Sequence, residues 1–169
     1  SHAIKEGDES AATYGRYLDG TGNFYLTKPT KGTANDRFDL NIAVNEVESS
    51  DAQAGADWIE IINYGDTPVD ISGWLVADDK KLDRLTANET TPVSAGTILQ
   101  PGELKVFEEN KDFTFGIGKK DQANLFDENG IRINFIEWAD GHAKNTFGRI
   151  PDGSGEVIDL DPVSYTHLT

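Results

Sequence analysis

The sequence predicts an all-β fold, an antiparallel β-sandwich. No segment keeps the 3.6-residue spacing of apolar side chains that marks an amphipathic helix. Instead, seven to nine short segments rich in β-branched and aromatic residues recur roughly every ten residues, with Gly, Pro, Asn and Asp between them. Two sheets built from such strands would bury their apolar faces in one shared core.

The first half of this sandwich is predicted from four segments. We expect strands at residues 40–47, 58–62, 69–71 and 74–76, with Ile59 and Ile61 on one face of the second. Gly73 separates the last two segments, and a glycine inside a strand indicates a bulge or close packing. Residues 77–95 are mostly polar and predict a long loop.

The second half begins after that loop. Residues 97–99 and 104–107 flank a Pro-Gly turn, and residues 113–120 predict a compact loop. Residues 124–126 and 131–135 flank an Asp-Glu-Asn-Gly hairpin turn. We expect Ile131, Ile133 and Phe135 to share one face of the second of these strands.

One segment occurs twice. Thr13-Tyr-Gly-Arg-Tyr-Leu-Asp-Gly-Thr-Gly22 returns as Thr146-Phe-Gly-Arg-Ile-Pro-Asp-Gly-Ser-Gly155. Two unrelated Asp-Gly turns are the alternative, but the Gly-Arg pair before each turn is not turn chemistry. A repeat of this kind predicts the same structural piece twice. We therefore expect structural roles for its arginines and aspartates: Arg16, Arg149, Asp19 and Asp152.

The repeat also predicts the domain organisation. Only one body of sequence lies between the two copies, so the chain reads as the end of one module followed by most of the next. Residues 13–36 are then the C-terminal tail of a preceding repeat, and residues 37–163 are the β-sandwich domain. Residues 1–12 are interpreted as a tag remnant or linker, and residues 164–169 as a non-native tail.

Composition narrows the classes of partner. Thirty acidic and fifteen basic residues give a net charge of −15, which disfavours binding to nucleic acid and to anionic membranes. The absence of cysteine excludes disulfides and thiolate metal sites. No apolar run reaches the length that spans a bilayer, so we expect no membrane insertion.

An ordered set of short motifs resembles the lamin-tail domain, in its bacterial secreted branch. The resemblance covers about residues 40–160. It rests on Val44-Asn-Glu-Val47, Asp57-Trp-Ile-Glu-Ile-Ile-Asn63, Val69-Asp-Ile-Ser-Gly-Trp-Leu75, Gly96-Thr-Ile-Leu-Gln-Pro-Gly102, Phe115-Gly-Ile-Gly118, Leu125-Phe-Asp127 and Gly148-Arg-Ile-Pro-Asp-Gly153. The N-terminal copy also contains the family's tail segment, here Pro29-Thr-Lys-Gly-Thr-Ala-Asn35.

The resemblance implies a fold and a function class. The fold is an immunoglobulin-like β-sandwich, and residues 13–36 become the tail of a preceding lamin-tail-like repeat. The module is expected to be non-catalytic, without a cofactor, and to contact a protein partner or a neighbouring repeat. It also implies an extracellular or cell-surface location in a multidomain bacterial protein. Fold analogy alone does not establish function.

Two kinds of side chain are candidates for binding sites. Trp58, Trp74 and Trp138 suggest a platform for stacking sugars, although tryptophans in strands more often pack in the core. Asp57 and Glu60 lie three residues apart, on opposite faces of a strand, which argues against a paired acid and base. We expect Asp57 to accept hydrogen bonds from backbone amides where the strand begins.

Several acidic residues are candidates for binding Ca²⁺. Asp78, Asp79 and Asp127 are the candidates, together with the two Asp-Gly turns. No segment has the spacing of an EF-hand loop, so an ordinary acidic surface is the favoured interpretation. Glycan-dependent or Ca²⁺-dependent adhesion is therefore the alternative function.

Catalysis is not expected. His142 is the only histidine outside the excluded ends, and no Gly-x-Ser-x-Gly nucleophile motif occurs. Self-association is expected instead to involve residues 13–35. The strand formed by Phe24-Tyr-Leu26 is predicted to pair with an open sheet edge of its own chain or of a neighbour.

Overall fold

A computed structural model describes residues 13–35, 37, 40–49, 55–143 and 145–160. The interpretations of residues 1–12 and 164–169 fall outside these described residues. The chain divides into two compact units, Ser1–Asn41 and Ile42–Thr169, which we call unit 1 and unit 2.

Unit 1 is a β-hairpin followed by a loop. Strands β1 (Thr13–Tyr17) and β2 (Asn23–Thr27) pair antiparallel, and the amide of Gly22 closes the turn by donating to the carbonyl of Leu18 at 2.8 Å. Gly20 occupies the turn with a φ of 77°, a left-handed conformation that favours glycine. Phe24-Tyr-Leu26 thus pairs with β1, and its pairing with another sheet stays a prediction.

Unit 2 contains the remaining elements. They are β3 (Ile42–Glu48), β4 (Trp58–Asn63), β5 (Val69–Asp70), β6 (Leu75–Ala77), α1 (Asp83–Thr86), β7 (Ile98–Leu99), β8 (Leu104–Glu108), β9 (Asp121–Phe126), β10 (Arg132–Trp138), β11 (Thr146–Ile150) and β12 (Glu156–Leu160). The described residues therefore hold twelve strands, more than the seven to nine predicted, because each copy of the repeated segment forms a two-stranded hairpin.

The strands of unit 2 form an immunoglobulin-like β-sandwich, as predicted. One sheet has the order β12-β11-β3-β4-β8 and the other has the order β10-β9-β6, with antiparallel pairing throughout. β5 and β7 pair separately. β3 packs against both β9 and β10, so the core lies between the two larger sheets.

The core follows the strand pattern of the sequence. Ile59 and Ile61 alternate along β4 and are completely buried, as their spacing predicts. Other large side chains that are fully buried come from both sheets and from the connecting segments: Ile42, Val44, Val47, Ile71, Trp74, Phe107, Phe113, Leu125 and Ile136.

β10 departs from the predicted alternation. A register shift between Arg132 and Asn134 marks a β-bulge, which changes the face on which the following side chains lie. Beyond it, Ile136 and Trp138 are the buried positions, whereas Ile133 and Phe135 are half-buried. The prediction that Ile131, Ile133 and Phe135 share one regular face is therefore wrong at this bulge.

Two local features also differ from the prediction. The polar segment 77–95 contains the short helix α1, which buries none of its residues. Gly73 does not interrupt a strand but lies in the turn between β5 and β6, where its φ is 77° and its amide donates to Val93. Within the described residues, no helix has the length and apolar character needed to cross a bilayer.

Candidate functional site

A bulge in β3 forms the centre of the candidate site. The register against β4 shifts between Val44 and Glu46, so Asn45 is an extra residue in β3. The Asn45 Oδ1 accepts a hydrogen bond from the amide of Gly153 at 2.8 Å, and its Nδ2 lies 3.5 Å from Asp152 Oδ1. The bulge therefore holds the Asp-Gly turn that joins β11 to β12.

Arg149 ties this hairpin to both sheets. Its Nε donates to the carbonyl of Val44 at 2.9 Å, and its Nη2 donates to the carbonyl of Phe135 at 3.2 Å and to Asn134 Oδ1 at 3.3 Å. Its Nη1 donates to the carbonyl of Gly155 at 2.9 Å. A planar guanidinium can serve several acceptors at once, and burial lowers its pKa below the ordinary value. In this arrangement Arg149 acts as a structural cross-link.

Three more residues of β11 complete the contact. Thr146 Oγ1 donates to Glu46 Oε1 at 2.6 Å, and the ring of Phe147 stacks on Trp138 with centroids 5.0 Å apart. A Cβ on Gly148 would lie 3.3 Å from Glu46 Cγ, so this approach has little room for a side chain. We call the surface that receives β11–β12 the hairpin seat; its members are Val44, Asn45, Glu46, Asn134, Phe135 and Trp138.

The β1–β2 hairpin has the same construction as β11–β12. Thr13 pairs with Thr27 as Thr146 pairs with Leu160, and the last pairs, Tyr17 with Asn23 and Ile150 with Glu156, also correspond. Arg16 Nη1 donates to the carbonyl of Gly22 at 2.8 Å, the equivalent of the bond from Arg149 to Gly155. The repeated sequence thus forms a hairpin of one register in both places.

Arg16 contacts residues of its own hairpin. Its guanidinium lies 4.4 Å from the centroid of the Phe24 ring, and Tyr14 is 75% exposed. Asn35 folds back on the hairpin: its Nδ2 donates to the carbonyl of Arg16 at 3.0 Å and its amide donates to Asp19 Oδ1 at 3.1 Å. Asn35 ends the Pro-Thr-x-Gly-x-x-Asn segment, which therefore packs against its own hairpin.

The tryptophans do not form an exposed platform. Trp74 is completely buried and Trp138 is 9% exposed, and the indole N–H of each donates within the fold, to Glu128 and to the carbonyl of Gly118. Trp58 is half-buried. Two of the three rings are thus unavailable for sugar stacking.

Asp57 accepts a backbone hydrogen bond directly before β4. The amide of Ile117 donates to Asp57 Oδ2 at 2.6 Å, and the Asp57 side chain is buried. Glu60 is also buried and accepts from Asn45 Nδ2 at 3.0 Å. The carboxylate of Asp57 therefore binds the loop before β9, and that of Glu60 binds the bulge in β3.

An acidic cluster brings together Asp78, Asp79 and Asp121, with ligand atoms within 4.8 Å of one another. Asp78 binds the guanidinium of Arg84, and this hydrogen bond raises the pKa of Arg84 above its ordinary value. Asp121 accepts hydrogen bonds from the amides of Gly118, Asp79 and Gln122, which caps the start of β9. The oxygens of Asp78 and Asp121 are thus already bound to protein donors.

Asp127, the third calcium candidate, lies outside that cluster. Its Oδ1 accepts from the amides of Asn129 and Ile131, both at 2.9 Å, and so fixes the turn between β9 and β10. Its Oδ2 is buried and has no hydrogen-bond partner among the described residues. Burial raises the pKa of Asp127 above its ordinary value.

Sequence reasoning missed four residues of these sites: Asn45, Asn134, Asp121 and Arg84. Asn45 and Asn134 did leave a signal, because asparagine is depleted in strands and each lies among β-formers. His142, the histidine outside the excluded ends, has its Nδ1 3.1 Å from Ser49 Oγ.

Comparison with known proteins adds a family assignment. The family model described as Lamin Tail Domain matches residues 39–140. A search of curated proteins finds no match to this chain. The matched region includes all six members of the hairpin seat and ends before β11.

Proposed function

The chain belongs to the lamin tail domain family, and from this premise we propose that it is a non-catalytic interaction and spacer module. The family is one of immunoglobulin-like modules that are not enzymes. We place the module in a secreted or surface multidomain bacterial protein. The tail of a preceding repeat would be residues 13–36, and the module itself residues 37–163.

One observation carries this proposal: buried and half-buried charged groups of the sandwich hold its own backbone. Arg149 serves carbonyls of three different segments, and Asp57 and Asp121 accept backbone amides. Buried charges are costly unless they are hydrogen-bonded, so these residues stabilise one conformation. A sandwich fixed in this way suits a spacer that presents surfaces to its neighbours.

The partner in this proposal is a protein or a neighbouring module. A net charge of −15 opposes the phosphate contacts on which nucleic-acid binding depends. Adhesion through glycans or Ca²⁺ is disfavoured by the buried tryptophans and by the protein donors already bound to Asp78 and Asp121.

Thermal unfolding tests the proposal against its alternative. We expect the melting temperature of the full chain to be the same in excess EDTA and in millimolar CaCl₂. Ca²⁺ is bound by six to eight oxygen ligands, and the fold does not depend on such a site. A Ca²⁺-dependent rise of several degrees that Asp78→Asn abolishes would instead support a cation-dependent adhesion module. Lys111→Gln, at an exposed ion pair, serves as the control substitution.

A further inference from the structure

We propose that the β1–β2 hairpin is a docking element whose partner is the β3 strand of another lamin-tail sandwich. On that partner, the β1–β2 hairpin would occupy the position that β11–β12 occupies in unit 2. This inference rests on the proposed function, which gives the class of partner. It adds the strand of the partner that is bound and the contacts that bind it.

The two hairpins share the residues that contact the seat. In β11–β12 these contacts come from Thr146, Phe147, Gly148, Arg149, Asp152 and Gly153. The equivalent positions of the first hairpin are Thr13, Tyr14, Gly15, Arg16, Asp19 and Gly20. Five of the six are identical and the sixth exchanges one aromatic ring for another. Asn35 bonds Asp19 and the carbonyl of Arg16 on this face, so docking would displace Asn35 from the hairpin.

The positions at which the two hairpins differ lie mostly away from the seat. Residues 13–27 and 146–160 differ at nine positions. Six of these are exposed in the seated hairpin: Ile150, Pro151, Ser154, Glu156, Ile158 and Asp159. The two sequences have therefore diverged mostly where the seated hairpin faces solvent, which is the pattern of a shared docking surface.

Arg16 uses only part of its hydrogen-bonding capacity among the described residues. Among the described residues, Arg16 makes one hydrogen bond, from Nη1 to the carbonyl of Gly22. Arg149 makes the same bond and three others, all of them to the seat. A guanidinium has five N–H donors. Arg16 can therefore donate further hydrogen bonds to carbonyl groups of a bulged β3 strand and of the strand packed against it.

Exposed aromatic surface points to the same partner. Tyr14 is 75% exposed, whereas its equivalent, Phe147, stacks on Trp138 of the seat. Docking of β1 would place the Tyr14 ring against the corresponding tryptophan of the partner sandwich, and aromatic pairs of this kind add to the apolar area buried. Strand addition would supply backbone hydrogen bonds along the partner's β3.

The occupant of the docking surface is thus a sandwich with a β3 bulge of the Val-Asn-Glu kind. The contact is heterologous, because a hairpin of one module meets the sheet edge of another. In unit 2 this seat is filled by β11–β12, so the partner is a sandwich whose own seat is open.

A hairpin transplant within the full chain tests the inference. Residues 146–160 receive the sequence of residues 13–27, which changes the nine differing positions and keeps five identical seat contacts plus one aromatic. We expect this chimera to unfold cooperatively, with a melting temperature within about 5 °C of the parent chain. Arg149→Ala in the chimera should then lower the melting temperature by roughly the same amount as in the parent.

A second transplant covers the one differing position that is buried in β12. It retains Leu160, where the first hairpin has Thr27, and changes the other eight positions. If either transplant folds and depends on Arg149, the inference stands. If both lose cooperative unfolding, or if Arg149→Ala has no effect in a folded transplant, the inference is overturned. The EDTA and CaCl₂ comparison on the parent chain is independent of these results, so a failed transplant leaves the proposed function in place.

Discussion

The hairpins β1–β2 and β11–β12 share their register and their arginine, and they differ in what that arginine binds. Arg149 donates to Val44, Phe135, Asn134 and Gly155 across two sheets. Arg16 donates to Gly22 within its own hairpin and lies on the ring of Phe24. The hairpin is thus determined by its own sequence. The stability that its arginine contributes depends on the strand against which the hairpin packs.

This difference shows why the repeat was visible in the sequence while its purpose was not. The turn and the closing glycine are local requirements that recur in both copies. The seat is non-local, because it combines β3 with β10, and these strands are far apart in the chain. Substitutions made in parallel in the two hairpins separate the local contribution from the seat contribution.

The largest effect is expected from the turn glycines. A Cβ on Gly155 would overlap the backbone of Ile150 and Pro151, and one on Gly22 would overlap the backbone of Tyr17 and Leu18. Gly155→Ala should destabilise the sandwich by about 4 kcal/mol, because backbone cannot yield as a side chain can. Urea unfolding followed by tryptophan fluorescence measures this, since all three tryptophans lie in unit 2.

Gly22→Ala is the matched control for that substitution. It should alter the circular dichroism of the hairpin and leave the urea midpoint of the tryptophan signal nearly unchanged. Equal shifts of the urea midpoint for both substitutions would mean that the two hairpins stabilise the sandwich equally. That result would contradict the difference between the hairpins.

The arginines come next. Arg149→Ala should cost about 2–3 kcal/mol, because it removes several charge-assisted hydrogen bonds and leaves their acceptors without a partner. Arg16→Ala should cost less than about 1 kcal/mol, since one hydrogen bond is lost. Calorimetry of both variants measures the contrast. Arg149→Lys should resemble Arg149→Ala, because an ammonium cannot serve acceptors on three segments; full retention of stability would contradict the geometric account.

The aromatic pair sharpens the same comparison with a smaller effect. Phe147→Ala should cost about 2 kcal/mol through the loss of its stack on Trp138, whereas Tyr14→Ala at an exposed site should cost under about 0.5 kcal/mol. Phe147→Tyr introduces the residue of the first hairpin and should be close to neutral. A large penalty for Phe147→Tyr in a melting experiment would argue that Tyr14 does not fit such a seat.

The smallest effect concerns pH and distinguishes the turn at Asp127 from both hairpins. Burial raises the pKa of Asp127, so the folded chain binds this proton more tightly than the unfolded chain does. Its contribution to stability is therefore present at acid pH and is lost as the pH rises through the folded pKa. Melting temperatures of the parent and of Asp127→Asn should converge or cross in favour of the parent as the pH falls from 7. A difference that stays constant with pH would refute this assignment.

The sandwich could be predicted because its signals are local. Alternation placed Ile59 and Ile61 in the core, and Asp-Gly and Pro-Gly pairs placed the turns. The seat could not be predicted, because a bulge depends on the register between two strands rather than on either strand alone. Asn45 and Asn134 acquire their roles only when β3, β10 and β11 come together.

The acidic cluster shows the same limit. Asp78 and Asp79 were visible as neighbours in the sequence, but Asp121 joins them only because β6 pairs with β9. Asp127 was grouped with them by composition, and the fold places it in a separate turn.

Rescue by a peptide tests the central claim most directly. A synthetic peptide of residues 13–35 is added to the full chain carrying two substitutions. Gly155→Ala opens the β11–β12 hairpin, and Arg16→Ala prevents the chain's own β1–β2 hairpin from competing for the seat. The melting temperature is recorded against peptide concentration. The account predicts a saturable rise toward the parent value with this peptide and none with the same peptide carrying Arg16→Ala. An equal rise with both peptides, or no rise with either, would contradict the claim that the β1–β2 hairpin is built to occupy a β3 seat.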